Sequence, residues 1–91
     1  MKKIKVEEKE YEIVKDYKEA FVMEDFLNRW TSFFEDFDYI VGDITYGKLR
    51  LKGFYDNKNN KATSINNYKN IEDYLQKYCS RECAHFILKK L

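Results

Sequence analysis

Residues 39–55 read YIVGDITYGKLRLKGFY. Two runs, Tyr39–Thr45 and Lys48–Tyr55, flank Tyr46-Gly47, a two-residue step suited to a tight hairpin turn. The chain has no proline, and its three glycines, at 42, 47 and 53, all fall in this stretch. The tightest backbone geometry therefore belongs here. Alternation in the second run places Leu49, Leu51, Gly53 and Tyr55 on one face and Lys48, Arg50, Lys52 and Phe54 on the other.

Upstream, Met23, Phe26, Leu27, Trp30, Phe33, Phe34 and Phe37 recur at helical spacing. They predict a helix over 23–37 that buries Phe26, Leu27, Trp30, Phe33 and Phe34 against a sheet. Tyr11–Tyr17 reads as a strand, and a short leading strand covers Ile4–Val6. Downstream, DNKNNKATSINN (56–67) reads as an exposed loop. A second helix starts at Asn70 as cap, with Ile71, Tyr74, Leu75, Tyr78 and Cys79 as its apolar stripe. Cys83–Leu88 is apolar on both faces and belongs at the centre of a sheet. The expectation is one α+β domain spanning residues 1–91, a two-layer fold with a mainly antiparallel sheet in (β)βαββαβ order and both helices on one face.

At 91 residues, with 44% hydrophobic and 18% aromatic content, the chain builds one core without staples. MKKIKVEEKEYE (1–12) has no apolar run after its lysines, so it reads as neither signal peptide nor anchor. A cytoplasmic protein with two free thiols follows from that reading. The net charge of +1 hides segregation, because residues 7–43 carry four basic and twelve acidic side chains, whereas 44–91 carry ten basic and four acidic. A basic face is compatible with that distribution, although the total marks no nucleic-acid binder.

YKEAF (17–21), DYIVGD (38–43), YGKLRLKGFYD (46–56), DYLQKYC (73–79) and CAHFIL (83–88) together resemble the YutD-like family of small bacterial proteins, mainly of Firmicutes. The blocks keep the family's order and cover roughly residues 17–88. The resemblance implies a compact cytosolic domain and supplies no catalytic residues to carry over. The chain departs from the family pattern at Ile44-Thr45, where Trp-Gly is commoner, and at His85, where an aromatic is.

Cys79, Cys83 and His85 are ligand types for zinc, but a fourth Cys or His is lacking, so they read as core residues and no metal or other cofactor is implied. A Cys–His nucleophile pair lacks a polarising neighbour. Asp38, Asp43 and Asp56 match no metal-binding loop, and Asp38 and Asp56 more simply end strands. A cleft joining Asp43, His85 and a cation would revive an enzyme reading. Lys52-Gly53-Phe54 resembles the start of an RNA-recognition strand motif, though its continuation does not. The reading is a non-catalytic binding domain whose uncovered sheet face carries Tyr39, Lys48, Arg50, Lys52 and Phe54. Weak RNA binding is its first use, and docking to another protein or a second copy through the same face is the alternative, with no membrane partner.

Overall fold

The computed structural model describes residues 2–78 and 83–91. They form β1 (Lys2–Val6), β2 (Lys9–Tyr17), α1 (Met23–Arg29), a 3-10 turn (Ser32–Asp36), β3 (Tyr39–Thr45), β4 (Lys48–Phe54), a second 3-10 turn (Tyr68–Asn70), α2 (Ile71–Tyr78) and β5 (His85–Lys90). The α+β order and the antiparallel sheet are those expected from the sequence. The five strands lie in the order β1-β2-β5-β3-β4, with every neighbouring pair antiparallel. Tyr46 and Gly47 have φ of 54° and 73°, the two positive values that a two-residue hairpin turn needs. No helix among the described residues is long and apolar enough to cross a membrane.

The helices do not share a face. Phe26 of α1 joins Tyr11, Ile40, Phe86 and Leu88 in one core cluster, while Ile71 and Leu75 of α2 join Tyr39, Val41, Phe54 and Ile87 in another. Residues 86 and 87 point to opposite sides of β5, as do 40 and 41 of β3. The sheet is therefore sandwiched between α1 and α2. His85, Phe86, Ile87 and Leu88 are all buried, and a central strand apolar on both sides requires two covers.

The helix expected over 23–37 is also corrected. It stops at Arg29, Trp30 and Thr31 are extended, and the chain resumes as a 3-10 turn. Thr31 and Ser32 weaken a helix at this point, and the bend has a purpose in packing. It returns Phe37 to the sheet at Gly53, where an added Cβ would stand 2.2 Å from the Phe37 ring. Phe37 also lies 4.7 Å from Tyr55, ring centre to ring centre. Of the five aromatic and aliphatic residues expected to be buried, only Phe26 is fully so; Trp30 and Phe34 are half-buried, and Leu27 and Phe33 are exposed.

The 3-10 turn that leads into α2 is capped by Asn67, its side chain accepting from the Lys69 amide at 3.0 Å. Asn70 instead donates to the Ser64 carbonyl. Phe26 touches the rings of Tyr11, Phe21 and Phe86. Phe26→Ala is expected to lower stability by about 3–5 kcal/mol in urea unfolding, and Trp30→Ala by less, because its indole is only half covered and its Nε1 reaches the Tyr11 hydroxyl at a long 3.4 Å.

Candidate partner-binding groove

Lys48, Arg50, Lys52 and Phe54 share the α2-facing side of β4, and Tyr39 lies directly opposite Phe54 on β3. The aromatic members are not available to a ligand. Phe54 is 0% exposed and Tyr39 7% exposed, both under α2. Burial raises the Tyr39 hydroxyl pKa. Arg50 is engaged inside the molecule, with Nε and Nη2 donating to the two oxygens of Asp43 at 3.2 and 2.6 Å and Nη2 also reaching the Tyr78 carbonyl at 2.8 Å. Those Asp43 bonds raise the guanidinium pKa further. Lys52 Nζ lies over the Phe54 and Tyr74 rings. The open basic-aromatic face expected from the alternation is thus replaced by a face that α2 covers, with lysines along its rim.

Asp43 is paired in register with both Arg50 and His85, and His85 with Tyr17, so one row crosses four strands. Asp43 is 1% exposed and His85 is buried. His85 Nδ1 is 2.8 Å from the Cys83 carbonyl, which fixes the ring, and its Nε2 has no partner among the described residues. Asp43 bonds Arg50 and neighbours His85 in register, but both Asp43 and His85 are buried and no hydrogen bond joins the carboxylate to the imidazole among the described residues. Among the described residues no cluster of three metal-ligating side chains forms. Cys83 is disulfide-bonded, against the expectation of free thiols. That expectation rested on the compartment alone. Cys79 lies outside the described residues.

Two strongly exposed apolar side chains stand elsewhere. Phe33 is 68% and Ile65 73% exposed, and both line an open groove of about 550 Å³ with Phe34, Phe37, Leu51 and Tyr74. The groove touches Arg50, Leu51, Lys52 and Gly53, consecutive residues that point alternately to both sheet faces. It therefore runs along the free edge of β4 rather than on either face. The Ile44 amide donates to the Ala84 carbonyl on the β5 side at 3.0 Å. In an antiparallel ladder this fixes Thr45, Asp43, Val41 and Tyr39 as the residues of β3 that bond β4. On β4 the backbone groups of Leu49, Leu51 and Gly53 consequently point outward.

The groove walls are tied together by two aspartates. Asp36 accepts from the Tyr55 hydroxyl at 2.6 Å and from Lys61 Nζ at 2.8 Å. Asp38 accepts from the Asp56 amide at 2.8 Å and from Asn59 Nδ2 at 3.0 Å. Lys90 Nζ holds the Glu35 carbonyl. The 3-10 turn bearing Phe33 and Phe34 is thereby fixed to the loop bearing Ile65. Sequence reasoning missed both exposed residues: Phe33 keeps helical spacing with buried neighbours, but Ile65, alone in a polar segment, was a legible signal.

A family model described as "Putative antitoxin YutD-like" matches residues 5–89. The chain belongs to the YutD-like family. It is 41% identical over 88 residues to "Putative antitoxin YutD" of Bacillus subtilis (strain 168), covering 97% of each chain. The solution NMR structure of protein yutD from B. subtilis superposes with a TM-score of 0.84 at 40% identity, covering 100% of this chain and 83% of that one. The resemblance read from the sequence blocks is confirmed.

In this YutD-like chain the Asp36–Tyr55 bond leaves a titration signature. The Tyr55 pKa is pushed from 10.0 up to about 12, first by its hydrogen bond to Asp36 and then by burial. The bonds from Lys61 and Tyr55 hold the Asp36 carboxyl below its ordinary value. The Tyr55 contribution to stability is complete below pH 10 and is lost as the pH rises toward about 12, whereas that of Asp36 is lost as the pH falls through its lowered pKa. Absorbance titration should therefore show one tyrosine ionising near 12. Asp36→Asn should move that transition down, and Tyr55→Phe should abolish it.

Proposed function

We propose that this YutD-like chain is a non-catalytic, cytoplasmic binding domain that docks on a partner protein through the groove beside β4. The observation that carries the reading is the reversal of exposure. Tyr39 and Phe54, the aromatics suited to stack on bases, are buried, while Phe33 and Ile65 stand in solvent around an open groove. An exposed apolar cluster rimmed by polar residues is the ordinary mark of a protein interface. The antitoxin description of the relatives supports the same class of role. A protein that neutralises a toxin by contact requires a docking surface and no catalytic machinery.

The competing reading is weak RNA binding along Lys48, Arg50 and Lys52. It lacks a stacking platform, and Arg50 is committed to Asp43. The two readings separate by experiment. Labelled single-stranded RNA should not bind even at low salt, whereas protein purified from its native host should carry a stoichiometric protein partner. That complex should be lost in the Phe33→Asp/Ile65→Asp variant while folding is retained. RNA binding that falls steeply with salt, together with a partner-free purification, would reverse the conclusion.

The cytoplasmic part of the proposal has its own check. Fractionation of host cells should place the chain with cytosolic markers, and recovery with the membrane or extracellular fraction would overturn that part of the proposal.

A further inference from the structure

We infer that the partner is bound by strand addition: an extended segment with alternating apolar and acidic residues pairs with the free edge of β4. This deepens the docking role proposed above and rests on it. Three observations converge. The backbone groups of Leu49, Leu51 and Gly53 point away from β3, and among the described residues no strand pairs with them. Beyond Phe54 the edge is closed, because Tyr55 bonds to the segment at Asn66–Tyr68: its amide donates to the Asn66 carbonyl, and the Tyr68 amide donates to its carbonyl, both at 2.7 Å. A guest strand therefore has a fixed stop at one end. The groove along the edge is open enough to receive it.

The two sides of the edge specify the guest. On the α1 side it meets Leu51 and the rings of Phe33, Phe34 and Phe37. On the α2 side it meets the row Lys48, Arg50 and Lys52, with no acidic residue in β4. Successive residues of a strand face opposite sides, so alternate apolar and acidic side chains satisfy both at once. A guest strand adds main-chain hydrogen bonds for affinity, while the side-chain rows select its sequence.

A second copy of this chain fits poorly as guest. Antiparallel pairing of β4 with itself about Leu51 sets Lys52 against Arg50 on both sides, and like charges directly opposite destabilise a ladder. The same cationic row that discourages self-pairing favours an acidic strand. Lys48 and Lys52 carry that preference, since Arg50 already bonds Asp43.

The probes are two capped octapeptides, one alternating Glu and Val, the other Lys and Val. With 15N-labelled full chain, the Glu-Val peptide should shift the Leu49 and Leu51 amides most and slow their exchange with solvent. The Lys-Val peptide should not bind. Lys48→Glu/Lys52→Glu should reverse the preference, weakening the Glu-Val peptide by about tenfold, as expected when two cross-strand attractions become repulsions. Leu51→Pro removes an outward donor on an edge strand, together with a half-buried side chain that packs on the core. It should abolish binding with the melting transition retained, and if it unfolds the chain, the charge-reversed variant decides alone. Shifts centred elsewhere, or a charge preference that does not reverse, overturn the inference. A native partner complex that survives Lys48→Glu/Lys52→Glu refutes strand addition while leaving the docking role intact. Absence of any native complex refutes the docking role itself.

Discussion

Four consecutive buried residues, His85 to Leu88, sit in the middle strand of the sheet, and both sides of that strand must be kept from water. Phe86 and Leu88 need one cover, Ile87 and His85 another. α1 and its following 3-10 turn supply the first, and α2 supplies the second. Both helices are thereby spent on the faces of the sheet, and no strand among the described elements pairs with the outer side of β4, the last strand in the sheet order.

That constraint is legible in the sequence. Cys83–Leu88 reads as apolar on both faces, which is incompatible with two helices on one side of a two-layer fold. Strand positions, the Tyr46-Gly47 turn and the element order were legible, because period-2 alternation and turn chemistry are local. The break at Trp30-Thr31 was not. Met23 to Phe37 keeps helical spacing throughout, and the reason to bend lies at Gly53, sixteen residues beyond Phe37 in sequence, where a missing Cβ admits its ring. A close approach of that kind has no signature in a periodicity.

The candidate site shows the same division. The alternation of Lys48, Arg50 and Lys52 with leucines was read correctly, and its consequence was inverted, because the side assumed open is the one α2 covers. Asp43 could not be recognised as the partner of Arg50 without the hairpin register. With it, a carboxylate that is 1% exposed requires a bidentate cation, and Arg50 is the residue directly opposite. Losing either member leaves a buried charge or an unanchored rim. The pair holds the cationic row of β4 to the end of α2 through the Tyr78 carbonyl, so an interaction that removes Arg50 from ligand binding also fixes the strand that a ligand would meet.

A strand edge held in this way changes where the cost of binding falls. β4 is already extended and hydrogen-bonded along its inner side, and the groove walls are locked to each other by Asp36 and Asp38. Little conformational freedom is left for this chain to lose. The entropy of ordering must come from the guest segment, which pays for every residue it straightens. Affinity then depends less on the area of contact than on how extended the guest is beforehand. A partner presenting a pre-formed edge strand would bind far more tightly than a disordered tail of the same sequence. The geometry of β4 thus selects for partner structure as well as for partner charge.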